Sequence, residues 1–210
     1  MRTWLKIVAW VAGVLGAIAL LLYIFVFDVW TIPSDDPMEA ASIEPTLSAG
    51  DVVLVSRHTT VARGNLLRCP DPQAPGRFVV ARAIAMSGEH FEMRGEAVNI
   101  DGKRLPSPRG CDTPTVVLHN PTTDDDVTLH CSVEDFGERD FGALRSDIPE
   151  PPTTVLVEPG RWFLVSDDRH IHVDSRDFGQ IDTSACLHVV FRVESRAGMG
   201  DEKKRLNLVW

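Results

Sequence analysis

Two short segments of the chain carry residue types that could do chemistry. Ser42 opens the run SIEPTL (42–47), in which Pro45 fixes a turn and would hold the serine hydroxyl on a rigid support. The run SDDRHIHVDSRDFG (166–179) places His172 shortly before Asp174. A hydroxyl, an imidazole and a carboxylate are the groups of a nucleophile, its general base and the side chain that orients the base. Serine also closes turns routinely, and a histidine in a polar run is often simply solvated, so both interpretations stay open here.

These side chains must be positioned mainly by β-strands, because the chain beyond its amino-terminal segment consists of short β-type runs bounded by glycine and proline. The runs are VVLVS (52–56), FVVARAIAM (78–86), EAVNIDGKRL (96–105), TTVLVEPGRWFLVSDD (153–168) and CLHVVFRVES (186–195). Asp101-Gly102 predicts a tight hairpin, Pro159-Gly160 predicts a hairpin within 153–168, and the last run predicts a closing strand. The pattern favours an all-β, antiparallel domain.

The apolar segment 7–27 contains no charged residue and is long enough to cross a bilayer as a helix. A secretory signal peptide has a shorter apolar stretch and a small-residue cleavage site, whereas Asp28 follows this segment directly. A retained transmembrane helix is therefore favoured. Arg2 and Lys6 precede the segment and acidic residues follow it, which predicts a cytoplasmic amino terminus and a domain outside the cell membrane.

Composition limits the partners and the compartment. A net charge of −9 and a pI near 5.2 argue against a nucleic-acid or anionic-lipid surface, because both need clustered Lys and Arg. The four cysteines lie in a compartment that is ordinarily oxidising, and they allow three disulfide pairings. Cys111 and Cys131 flank two β-type runs joined by a turn, so a hairpin would bring their sulfurs together. No pair has the C-x-x-C spacing of a zinc or redox site.

These features predict an anchor, a tether and one domain with an inserted lobe that is rich in Pro, Asp and Ser. The predicted parts are the cytoplasmic amino terminus (1–6), the transmembrane helix (7–27), a tether without secondary structure (28–41), a core in two pieces (42–105 and 156–195), the inserted lobe (106–155) and a carboxy-terminal tail (196–210).

Four segments follow the anchor in a fixed order: SIEPTL (42–47), RGNLL (63–67), VVARAIAMSGE (79–89) and SDDRHIHVDSRDFG (166–179). This ordered set resembles the four sequence boxes of the bacterial type I signal peptidases, the membrane-bound serine proteases that remove signal peptides from exported proteins. Isoleucine replaces methionine in the first box, and asparagine replaces aspartate in the second. The fourth box is the most specific match, with these residues in step: Asp167, Arg169, Asp174, Ser175, Arg176 and Gly179.

The resemblance implies a fold of coiled antiparallel β-sheets with an inserted β lobe, preceded by one transmembrane helix. It implies that Ser42 is the nucleophile and that a shallow groove takes the substrate as an added strand and selects small side chains. The expected groove residues are Ile43, Pro45, Val80 and Ala81. The expected structural ion pairs join two aspartates to two arginines: Asp167, Asp174, Arg82 and Arg176. The implied partners are signal peptides of exported preproteins and the lipid bilayer. No cofactor or metal is expected, and the net charge already argues against nucleic acid.

The chain departs from the family at the general base. In the family a buried lysine precedes the arginine of the third box and takes the proton of the serine, and here that position is Ala81. Arg82 cannot replace the lysine because a guanidinium stays protonated. His172 stands where the family has a serine that contacts the lysine. An imidazole there could fill the vacated space, with Asp174 orienting it as in a Ser-His-Asp triad.

Two other interpretations remain. The chain could be a catalytically inactive relative that binds extended peptides or a protease partner, and Ala81 is the residue that favours this interpretation. A metal site at His170, His172 and Asp174 is weaker, because Asp174 is expected in an ion pair.

Overall fold

The fold begins with one long helix that carries many exposed apolar side chains. A computed structural model of the chain describes residues 2–58, 60–95, 97–137, 139–148, 150–200 and 204–209. Helix α1 (Arg2–Phe25) consists mainly of apolar residues, and its large side chains, such as Trp10 and Leu15, are exposed. Within the described ranges it is the one helix long and apolar enough to cross a membrane.

The apolar segment 7–27 is divided between two elements. α1 ends at Phe25, and Phe27 already begins a strand, β1 (Phe27–Thr31). β1 pairs antiparallel with β2 (Val52–Ser56), from Phe27 opposite Ser56 to Thr31 opposite Val52. At this boundary the backbone oxygen of Val26 accepts from the N–H of Arg57 at 3.0 Å, so the chain leaves the helix directly into the β1–β2 pair.

Short strands make up most of the chain after α1. In chain order they continue as β3 (Leu66–Pro70), β4 (Phe78–Met86), β5 (His90–Arg94), β6 (Ala97–Ile100), β7 (Lys103–Arg104), β8 (Arg109–Asn120), β9 (Asp125–Asp135), β10 (Asp140–Arg145), β11 (Thr153–Leu156), β12 (Trp162–Val165), β13 (Leu187–Glu194) and β14 (Asn207–Leu208). The short helices are α2 (Pro37–Ser42), α3 (Ser175–Phe178) and a 3-10 helix (Thr183–Ala185).

The strands pair antiparallel, which confirms the all-β prediction. The large sheet has the order β1-β2-β13-β3-β4-β12, with β14 added to β13. A second sheet has the order β11-β5-β6-β7, and the third, β10-β9-β8, forms the inserted lobe. β13, which was predicted to close the domain, lies inside the large sheet between β2 and β3.

The segment 28–41 is not the unstructured tether that the sequence predicted. β1 extends into it as far as Thr31, and α2 begins at Pro37. The side chain of Asp36 caps α2 by accepting a hydrogen bond from the N–H of Glu39 at 3.2 Å, and Pro37 takes the first helical position. The proline and acidic residues that suggested a loop are here the residues that start a helix.

One predicted hairpin is confirmed and the other is wrong. Asp101 and Gly102 have φ angles of 51° and 73°, and they join β6 to β7 in a tight turn. In the segment 153–168, however, β11 pairs with β5 and β12 pairs with β4, so the two strands lie in different sheets. An alternating pattern predicts a strand, but the choice of its partner depends on edges that distant residues provide.

Disulfides join neighbouring strands in the core and in the lobe. The bond between Cys111 on β8 and Cys131 on β9 confirms the pairing predicted from the hairpin. The other disulfide links Cys69 on β3 to Cys186, directly before β13.

Gly142 on β10 lies where the lobe meets the loop that follows Ser42. A Cβ atom at this position would come within 2.9 Å of Cγ of Pro45 and 3.3 Å of Sγ of Cys131. Neither a proline ring nor a disulfide moves aside easily, so we expect Gly142→Ala to destabilise the domain by about 1–3 kcal/mol.

Thermal unfolding of the full chain in detergent micelles measures this effect. The matched control is Gly110→Ala, because the nearest atom to an added Cβ at Gly110 is 3.8 Å away. Equal unfolding midpoints for the two variants would contradict the close packing at Gly142.

Candidate active site

The candidate nucleophile lies at the end of a short helix. Ser42 is the last residue of α2 and is fully buried. Its Oγ donates a hydrogen bond to the backbone oxygen of Glu39 at 2.9 Å. The backbone oxygen of Ser42 accepts from the N–H of Asp168 at 3.0 Å. The hydroxyl is therefore held by the helix backbone and not by a titratable side chain.

Arg82 connects the segments that surround the nucleophile. Its guanidinium donates to both carboxylate oxygens of Asp167, at 2.8 and 2.6 Å. It also donates to the backbone oxygen of Gly64 at 2.8 Å and to Oγ1 of Thr46 at 3.3 Å. The ring centroid of Phe141, from the lobe, lies 3.9 Å from Cζ of Arg82. Arg82 thus joins the first, second and fourth sequence segments and the inserted lobe.

Asp174 forms an ion pair and caps a helix. Its carboxylate accepts from Nη2 of Arg176 at 2.7 Å and from the N–H groups of Ser166 and Arg176 at 2.7 and 2.9 Å. Burial opposes ionisation of Asp174, but Arg176 outweighs it and holds the pKa of Asp174 below its usual value. The carboxylate is therefore committed to the fold of its own segment.

His172 contacts Asp177 and not the carboxylate that the sequence suggested. Nδ1 of His172 lies 2.8 Å from Oδ2 of Asp177, while Asp174 is paired with Arg176. When the ring donates its Nδ1–H to Asp177, Nε2 is the acceptor nitrogen. His172, Asp174 and Asp177 bring their potential ligand atoms within 4.8 Å of one another. The guanidinium already bound to Asp174 disfavours a metal ion there, because a second positive charge would be repelled.

The predicted groove residues are largely covered in this structure. Ile43 and Val80 pack in one buried apolar cluster, and Ala81 packs beside Leu67 in the neighbouring one. Pro45 is half-buried. The position that the resemblance assigns to the basic lysine is therefore a buried methyl group.

A buried acid that the sequence analysis did not single out lies beside these residues. Oε1 of Glu39 accepts a hydrogen bond from the N–H of Val80 at 2.5 Å, and Oε2 has no hydrogen-bond partner among the described residues. Burial raises the pKa of Glu39 well above its usual value, and nearby Asp36 and Asp71 raise it further. The helix-start pattern from Asp36 to Glu39 could have predicted α2, but the contact with Val80 depends on the tertiary fold.

An open surface cavity lies elsewhere, between the β6–β7 hairpin and the lobe. It has a volume of about 570 Å³, and its lining includes Arg63, Lys103 and Phe136 but none of the predicted site residues. Ser42 itself is fully buried, and this cavity belongs to another part of the surface.

The segments joined by Arg82 extend over most of the sequence, and so does the similarity to known proteins. Residues 2–193 match the family described as Signal peptidase, peptidase S26. The chain belongs to the signal peptidase family. It is similar to Signal peptidase I V of Bacillus subtilis (strain 168), with 24% identity over 164 residues that cover 76% of this chain and 84% of that protein. A crystal structure of a signal peptidase I from Enterococcus faecalis V583 is 21% identical, with a TM-score of 0.38, and the match covers 63% of this chain and 97% of that one.

This signal peptidase family member carries an asparagine at the aspartate position of the second box, and the structure provides a partner for it. Nδ2 of Asn65 lies 3.0 Å from Nε2 of His188 on β13. Burial lowers the pKa of His188 to about 4, and the positive charges of Arg139 and Arg82 add to this effect. An amide at position 65 therefore faces a neutral imidazole.

We expect His188 to make the folded state sensitive to acid. The unfolded chain binds a proton at this histidine near pH 6.5, whereas the folded protein does so only near pH 4. The contribution of the neutral His188 ring to the free energy of unfolding is therefore fully present above the pKa of the unfolded chain. It declines as the pH falls from about 6.5 to about 4.

Thermal unfolding of the wild type and His188→Gln at about pH 7 and about pH 5 measures this contribution. The unfolding temperature should decrease more between these two pH values for the wild type than for the variant. An equal loss in both proteins would show that another group is responsible.

Proposed function

We propose that this member of the signal peptidase family is a serine endopeptidase that cleaves signal peptides of exported proteins at the outer face of the cell membrane, with Ser42 as its nucleophile. The Arg82 network is the observation that supports this most strongly. It gathers the first, second and fourth family segments around the end of α2, where Ser42 lies. Residues that are far apart in the sequence thereby meet at Arg82, and Asp168 of the fourth segment donates its N–H to the backbone oxygen of Ser42 at 3.0 Å.

In the proposed reaction His172 is the general base. Its Nδ1 contact with Asp177 leaves Nε2 to accept the proton of Ser42 as Oγ attacks the scissile carbonyl carbon. The proton then passes to the departing amine, and water releases the acyl group from the serine by the same route. For this sequence to begin, Oγ of Ser42 must leave the backbone oxygen of Glu39. Asp177 takes the orienting role that the sequence suggested for Asp174.

A second candidate function is peptide binding without cleavage. The buried side chain of Ala81 supports it, because a methyl group at the lysine position accepts no proton. Such a protein would still hold an extended segment of an exported protein or a protease partner along the sheet.

Mutation of the proposed base separates the two functions. If the protein cleaves a synthetic peptide that contains a signal-peptide cleavage site, Ser42→Ala should abolish turnover and His172→Ala should lower it by roughly a thousand-fold or more, because the members of a catalytic unit act together. Product formation by the full chain in detergent micelles is the measurement. His170→Ala is the matched control, since His170 lies in the same segment as His172 but its Nδ1 pairs with Glu150.

The opposite pattern supports the binding function. An inert wild type that gains activity from Ala81→Lys combined with His172→Ser would show that His172 is not a base here. Full activity in His172→Ala would equally exclude it.

The orientation of the anchor can be tested independently of catalysis. Arg2 and Lys6 precede the apolar segment, so we expect the domain after Phe27 to be digested by protease added to spheroplasts and protected in inverted membrane vesicles. Immunoblotting shows whether the domain is intact or digested in both experiments. Protection in spheroplasts, or a mature amino terminus near Ala40, would overturn the proposed topology.

A further inference from the structure

One edge of strand β4 is open to pairing, and α2 covers it. On one side β3 pairs with residues 78–82 of β4, whereas on the other side β12 pairs with residues 82–86. Residues 78–81 thus lack a strand partner on the β12 side within the described ranges. The N–H of Val80 points to this side, where Oε1 of Glu39 accepts its hydrogen bond.

We propose that Glu39 is a latch that keeps α2 over the open edge of β4, and that an extended peptide binds by displacing the Glu39 carboxylate from the N–H of Val80. A peptide that adds to a sheet as a strand needs the edge N–H and C=O groups. The peptide and Glu39 therefore compete for the same donor. The identity of the peptide, a signal-peptide segment of an exported protein, rests on the proposed function.

Helix α2 is attached firmly on either side and only weakly at its beginning, so it can be displaced from the edge of β4. The chain is fixed before α2 by the hydrogen bond from Ile32 N–H to Asp51 at 2.9 Å, and after it by the bond between Ser42 and Asp168. Between these points the beginning of α2 is held near the surface by an ion pair of Asp36 with Arg77, whose side chain is half-exposed. Exposed ion pairs contribute little to stability. Along this stretch Glu39 makes a buried polar contact with β4, and Sδ of Met38 accepts from Oγ1 of Thr122, in the turn between β8 and β9, at 3.3 Å in an exposed position.

The closed arrangement leaves a polar group unsatisfied. Oε2 of Glu39 is buried without a hydrogen-bond partner among the described residues, and such an atom raises the free energy of the state that contains it. Water or a peptide N–H would satisfy this oxygen once α2 moves. This cost offsets part of the stabilisation that the Val80 hydrogen bond gives, so Glu39 holds the closed state by a small margin that a bound peptide can overcome.

Displacement of Glu39 would also release the nucleophile. Oγ of Ser42 donates to the backbone oxygen of Glu39, and the two residues belong to the same helical turn. If the beginning of α2 unwinds, the hydroxyl loses this acceptor and becomes available to another base. Peptide binding and release of Ser42 are thus coupled in one movement.

Ionisation of Glu39 should favour opening. Its pKa is raised in the closed state by burial first, with Asp36 and Asp71 adding to the rise and the Val80 hydrogen bond and Arg77 opposing it. A group with a raised pKa binds its proton more tightly in the closed state, so the closed state is favoured at low pH and weakened as the pH rises. Peptide affinity should accordingly increase with pH over the range in which Glu39 ionises.

Hydrogen exchange tests the latch without any peptide. In the full chain in detergent micelles, Glu39→Ala should speed deuterium exchange at the Val80 amide by about ten-fold, the factor for one lost hydrogen bond. The amide of Ala83 is the internal control, because it donates to Asn65 on the β3 side at 2.9 Å. Unchanged exchange at Val80 would overturn the latch.

Peptide binding tests the competition. The probe is a fluorescently labelled synthetic signal-peptide segment with small residues before its cleavage site, and fluorescence anisotropy measures its affinity. Glu39→Ala should bind it about ten-fold more tightly than the wild type, because less of the protein is closed. Glu39→Gln keeps an acceptor for Val80 but removes the charge, so it should bind more weakly and lose the pH dependence. The control Glu44→Ala removes another part-buried carboxyl, which pairs with Ser48, and should not strengthen binding.

The outcomes separate this inference from the proposed function. Equal peptide affinity in wild type, Glu39→Ala and Glu39→Gln would overturn the latch while leaving the proposed function intact. If neither the wild type nor any variant binds the peptide, both the displacement of Glu39 by a peptide and the proposed function are wrong. Hydrogen exchange at the Val80 amide then tests separately whether Glu39 covers the edge of β4.

Discussion

The buried ion pair between Arg82 and Asp167 is the interaction on which the rest of the structure depends. A charge pair inside a protein is stable only when its remaining hydrogen-bonding groups are satisfied, and loss of one partner typically costs about 3–5 kcal/mol. Here the remaining donors are met by Gly64 and Thr46, and the ring of Phe141 lies against the guanidinium. The requirement to satisfy one arginine therefore fixes the relative positions of several loops.

A second buried network attaches the lobe in the same way. Glu134 on β9 accepts from Arg169 at 2.5 Å and from Arg145 at 2.7 Å. Backbone hydrogen bonds reinforce this network. The N–H of Leu144 donates to the backbone oxygen of Asp167 at 2.8 Å, and the backbone oxygen of Leu144 accepts from the N–H of Arg169 at 2.9 Å. The lobe is thus tied to the residues that follow β12 and not only to its own hairpin. This attachment places Gly142 against the loop beyond Ser42 and leaves little free space there.

Several features could be predicted from local sequence, and others could not. The nearly continuous apolar run FVVARAIAM matches β4 residue for residue. The predicted partner of the strand at 153–156, in contrast, was wrong, because its true partner β5 lies far away in sequence. The carboxylate beside His172 is a similar case. Asp174 is closer in sequence, but it caps α3, and the capping geometry turns Asp177 back towards the N–H of Asp174 and the imidazole. Short-range spacing could not show which oxygen faces the ring.

By itself the sequence determined the apolar amino-terminal helix, the all-β class and the Cys111–Cys131 pairing, and the resemblance of its ordered segments indicated the family. The first three features follow from residue type, periodicity and spacing within short windows. Only the tertiary structure decided that Ser42 is fully buried, that α2 lies on the open edge of β4 and that Glu39 meets Val80. The reason is physical: Glu39 and Val80 are 41 residues apart, and a buried carboxylate finds its donor only where the packing of the whole sheet places one.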